Sequence, residues 1–98
     1  MSALARLYEH GQASPLMERT LDKLLVYEAN ICRGQLAQLQ TNLAEFERRY
    51  GLASDEFYRR FQSGQTDDRI DYVEWVSLVQ MAQNLRERLR LFTNEEQA

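Results

Sequence analysis

The 98 residues include one cysteine (Cys32), one histidine (His10), one proline (Pro15), one tryptophan (Trp75) and one lysine (Lys23). Each shortage closes a class of chemistry. A lone Cys excludes an internal disulfide framework. With a lone His, it excludes a zinc site made of Cys and His within one chain. Four glycines, none clustered, leave no glycine-rich phosphate loop. Apolar runs are only a few residues long, so no membrane-spanning segment is expected. The stretch Met1–His10 has neither a basic n-region nor a long apolar core. No export signal is expected, and with one thiol the cytoplasm is the expected compartment.

What remains is ordinary for a globular chain: 44% apolar and 28% charged residues. The length fits one domain. Fifteen acids face twelve bases, a net charge of −3. All of the excess lies in residues 51–98, which carry nine acids and six bases, while residues 1–50 carry six of each. An acidic balance disfavours general nucleic-acid binding and suits a basic partner.

Ser14-Pro15 reads as a helix start, with Ser as N-cap and Pro in the first turn. Tyr50-Gly51 reads as a stop, with Arg48 and Arg49 opposing the dipole in the last turn. The prediction is one helix over Pro15–Tyr50. Its apolar residues follow a heptad: Leu25, Cys32, Leu39 and Phe46 in one seam, Ala29, Leu36, Leu43 and Tyr50 in the other, widened by Leu24 and Ile31. Gly34 interrupts the helix; it reads either as a tolerated glycine or as the site of a close helix crossing. A short second helix is expected to open at Ser54 or Ala53, with Ser54 the favoured cap, and to end at Gly64. A third is expected from about Arg69 to Phe92, with seams Trp75, Ala82, Leu89 and Leu78, Leu85, Phe92. No alternating strand pattern competes.

The expected architecture is therefore all-α: a long antiparallel helical hairpin with a short connecting helix, forming a dimeric four-helix bundle. Residues 1–13 are read as an N-terminal arm, 14–92 as a single helical hairpin domain and 93–98 as a frayed tail. The third helix covers roughly Val26 to Tyr50 of the first. Leu16, Met17, Leu21, Leu24, Leu25 and Ile31 then form an apolar stripe around the projecting end, the expected interface.

Other constellations point to chemistry less strongly. Asp67, Asp71 and Glu74 would share a face on a helix and could suit a divalent cation, but helix capping and dipole compensation explain them more simply, and no metal or other cofactor is expected. Cys32 falls in the core pattern and His10 has no fixed acid beside it, so no catalytic residues are assigned and no enzyme is expected. The segment 50–61 has a helix–turn–helix outline with Arg59 and Arg60. Asp55 and Glu56 stand where base contacts belong, which leaves DNA binding as an alternative. A purely structural homodimeric adaptor is another.

Several runs carry a resemblance: Glu45-Phe-Glu-Arg-Arg-Tyr-Gly51, Glu56-Phe-Tyr-Arg-Arg-Phe61, Gly64, Asp71-Tyr-Val-Glu-Trp75 and Leu85-Arg-Glu-Arg-Leu89. Together they cover about half of the chain. This segment resembles a group of small prokaryotic helical proteins proposed as the antitoxin-like halves of toxin–antitoxin pairs. The resemblance implies action by binding, a basic RNA-cleaving toxin as partner, and no catalytic residues. The expectation is thus a non-enzymatic protein–protein interaction module that pairs with itself and with another protein.

Overall fold

The computed structural model describes residues 14–93, and three helices account for most of them. The expected arm (1–13) and the tail beyond Thr93 lie outside the described residues.

Helix α1 runs over Pro15–Tyr50. Ser14 caps it as its sequence suggests, its Oγ accepting from the Met17 backbone N–H at 3.1 Å. At the other end Gly51 has φ 63°, a left-handed conformation open to glycine without steric cost. The N–H groups of Gly51 and Leu52 both reach back to the Glu47 carbonyl, at 2.8 and 3.3 Å.

Helix α2 covers Ser54–Gln62 and α3 covers Ile70–Thr93. Ser54 is not the cap of α2. Ala53 holds that position without a side-chain bond, and Ser54 is the first helical residue. Its backbone N–H, one of the orphan donors of a helix start, is taken by the Glu47 carboxylate of α1 at 2.9 Å. The cap thus comes from across the turn. Before α3, Asp67 plays a comparable part, accepting from the Arg69 backbone N–H at 3.1 Å. Thr93, expected in the tail, closes α3, its hydroxyl donating to the Leu89 carbonyl.

The long helices pack side by side as an antiparallel hairpin, and α2 fills the end where they join. The pairings read in order: Tyr50 meets Tyr72, Phe46 meets Trp75, and Leu25 shares a groove with Phe92. Trp75 is the centre. It is wholly buried, stacks on Phe57 with ring centroids 3.8 Å apart, and contacts Phe46 and Tyr50 from α1. Its indole N–H donates to Ser54 Oγ at 2.9 Å. Three helices therefore converge on one side chain.

The core consists of Leu39, Leu43 and Phe46 from α1, Phe57 from α2, and Trp75, Val79 and Ala82 from α3. The expected seam of α3 omitted Val79, which is buried, whereas Leu78 and Leu85 are partly buried at the side. Cys32 and Ala29 are also buried, as their heptad positions imply.

Candidate interaction surface

Helix α3 ends beside Leu24, Leu25 and Glu28 of α1, where Phe92 lines a shared depression, and the segment 15–23 lies beyond that end. The helix itself continues through this segment. Its exposed flank is apolar: Leu16 is 66% exposed, Leu24 37%, Tyr27 62% and Ile31 39%. Spacing separates the six expected interface residues into two lines. Met17, Leu21 and Leu25 continue the line of Ala29 and Cys32 and are half-buried. Leu16, Leu24 and Ile31 lie on the neighbouring face, with Tyr27 among them. Leu24 and Ile31, expected both to widen the packed seam and to lie in the interface, are exposed, Leu24 at the edge of the depression it lines with Leu25 and Phe92.

Tyr27 was not among the expected interface residues. Its signal was present in the spacing, three residues after Leu24 and four before Ile31, but the heptad of the hairpin seam claimed the periodicity first. Val26 is exposed too, on the opposite flank, at 59%.

Gly34 lies on the Tyr27–Ile31 face. Among the described residues no helix crosses there: a Cβ built at Gly34 meets nothing within 4 Å. Among the described residues Gly34 is thus a glycine tolerated within the helix, with open space at its Cβ position.

The same side of the hairpin carries an open groove of about 420 Å³ between α1 and α3, bounded by Gln38, Leu39, Met81 and Leu85. Helix α2 lies against the opposite side, where Gln40 and Glu47 meet Ala53 and Asp55. One broad side of the hairpin is therefore free of its own short helix.

The carboxylates do not form an ion site. Asp67 precedes α3 instead of lying on it, and its two oxygens accept from Arg69 Nε and Nη2 at 2.9 and 2.8 Å. This pairing holds the Asp67 carboxyl at about 2. Asp71 accepts from the Tyr50 hydroxyl at 2.5 Å and from Arg49 Nη1 at 3.0 Å. Tyr50 and then Arg49 lower its pKa, and the same bond raises that of the Tyr50 phenol. Glu74 lines a different depression with Asn42, Glu45 and Arg49. Among the described residues no group of three or more His, Cys, Asp or Glu could hold a metal ion. The helical spacing of these three acids was real for Asp71 and Glu74 only, because α3 begins at Ile70.

In the helix–turn–helix-like stretch, Arg59 and Arg60 both bind the Glu56 carboxylate and lower its pKa. Phe57 and Phe61 face inward around Tyr72 and Trp75. The turn therefore serves as an aromatic plug for the end of the hairpin. Among the described residues no helix is long and apolar enough to cross a membrane. Comparison with protein-family models, curated proteins and solved structures finds no match to this chain.

Proposed function

We propose that this chain acts by binding and not by catalysis: a helical interaction module that self-associates and engages a partner protein through the outer half of α1. The observation that carries this reading is the exposed line Leu16, Leu24, Tyr27 and Ile31 on a helix whose other apolar face is already packed. Large aliphatic and aromatic side chains aligned on one exposed face mark a docking surface more often than a solvent face.

The sequence resemblance gives the specific version, an antitoxin-like module whose partner is a basic toxin. The chain's net charge of −3 suits such a partner. The experiment is co-expression with the protein encoded by the adjacent gene, followed by purification and mass determination. The expected result is a defined assembly that is lost in the double variant Leu24→Asp and Ile31→Asp. Both positions are exposed, so the helix content should survive. The reading fails if the wild-type chain forms neither a self-assembly nor a complex, or if the double variant assembles unchanged.

A further inference from the structure

Helix α1 carries two heptad seams, and the hairpin fills only one. The filled seam steps through Leu25, Ala29, Cys32, Leu36, Leu39 and Leu43 at alternating intervals of four and three. A second set with the opposite alternation, Leu24, Tyr27, Ile31, Gly34, Gln38 and Thr41, runs along the neighbouring face. Every residue of this second set is exposed. None is charged, in a chain where 28% of residues are. An exposed helix face ordinarily carries Glu, Lys and Arg, whereas the centre of an interface is depleted of them. The strip is roughly 27 Å long at the helical rise, several turns of continuous contact. Gly34, with open space where its Cβ would stand, lets another backbone come close at the middle of it.

The charges beside this strip identify its occupant. Lys23 directly precedes Leu24 and Glu28 directly follows Tyr27, so they flank the seam on opposite sides, five residues apart. Neither forms an ion pair among the described residues. In a parallel two-helix pairing the residue before one core position meets the residue five further on in the other helix. Lys23 of each copy then meets Glu28 of the other, twice by symmetry. One heptad earlier, Leu16 and Leu21 repeat the relation with apolar side chains, and the exposed Leu16 gains a cover. An antiparallel pairing centred on the apolar stretch would instead set the two Glu28 carboxylates against each other. Helix α2 lies on the far side of the hairpin and leaves the approach open.

We infer that the second seam is occupied by a second copy of this chain, docked in parallel along Leu24–Thr41 with reciprocal Lys23–Glu28 pairs. This deepens the interaction-module reading and rests on it. The test is sedimentation equilibrium of the full chain and its charge-swap variants. The wild-type protein should reach twice the 11.6 kDa of one chain. Lys23→Glu alone and Glu28→Lys alone should each raise the dimer dissociation constant about tenfold, by replacing two attractions with two repulsions. The double swap should return it to within about twofold of the wild-type value. Circular dichroism of each variant checks that the helices persist. A monomer at all concentrations overturns the inference. So does a dimer indifferent to both single swaps. If that indifferent dimer is still abolished by Leu24→Asp with Ile31→Asp, the interaction-module reading stands and only the parallel self-pairing falls.

Discussion

Ser54→Ala is the sharpest probe of how the fold is held. The Ser54 hydroxyl is the acceptor for the indole N–H of Trp75, and both groups are buried. Alanine removes the acceptor and leaves the buried indole N–H without its protein partner. Stranding one buried donor costs about 1–3 kcal/mol, more than the bond itself contributes net. For a domain of this size each kcal/mol moves the midpoint by roughly 4–8 °C, so the melting temperature should fall by some 5–20 °C. Urea unfolding followed by ellipticity measures the free energy. Fluorescence of Trp75, the sole tryptophan, reports from the site itself. Trp75→Phe provides the control. It costs stability through lost area, but it removes the donor, so Ser54→Ala added to it should cost less than about 0.5 kcal/mol. All variants are compared at one protein concentration, because association would otherwise shift the midpoints. A Ser54→Ala cost below about 0.5 kcal/mol, or an equal cost with Phe at position 75, would refute the claim that this bond ties α2 to α3.

Two glycines should respond to alanine with opposite signs. Gly51 has φ 63°, so Gly51→Ala should destabilise by about 1 kcal/mol, whereas Gly34 is helical with open space at its Cβ, so Gly34→Ala should stabilise by about 0.5–1 kcal/mol. Thermal unfolding in a Leu24→Asp, Ile31→Asp background separates this folding effect from association. Acid should weaken the start of α3. The Asp67 carboxyl titrates at about 2 in the folded chain and near 4 when unfolded, so its contribution is present above pH ~4 and is lost as the pH falls toward 2. Asp71 and Glu56, also lowered by their partners, act in the same direction. Urea midpoints recorded between pH 6 and 2 should fall less steeply for Asp67→Asn than for the wild type, and equal slopes would contradict the pairing with Arg69.

The hairpin was legible because its signals are local. Ser14-Pro15 and Tyr50-Gly51 bound α1 at the residues that cap it, and the heptad of Leu25 to Phe46 placed the buried line. The errors arose where a side chain answers to something distant in sequence. Ser54 looks like a cap by type, but Trp75 draws its hydroxyl into the core and Glu47 supplies the missing acceptor. Asp67, Asp71 and Glu74 share a face only if helical spacing is extended back to Asp67, which precedes α3. In the structure Asp67 answers to Arg69 and Asp71 to α1. Leu24 and Ile31 were read as a widening of the first seam, since one periodicity was already in use. The packing leaves both exposed together with Tyr27, which agrees with their other expected place, in the interface stripe.

The two ends of α1 differ in what holds them. Near Tyr50 the hairpin is closed by Phe46, Phe57, Tyr72 and Trp75, whose rings bury large areas and need no further partner. Toward Pro15 the same helix loses α3 as a neighbour at Leu25, and it keeps helical form over segments that expose Leu16, Leu24, Tyr27 and Ile31. An isolated helical end of that length is marginal in water on its own propensity. It becomes secure when its apolar face is covered. If the outer face is covered by a second copy as proposed, ordering of this end should depend on association while the aromatic end folds without it. Hydrogen exchange should display the division. Amides from Leu36 to Tyr50 should be protected at every concentration, while protection from Leu16 to Ile31 should rise as the protein is concentrated. Uniform protection along α1, independent of concentration, would mean that the outer half of the helix is secured without a partner.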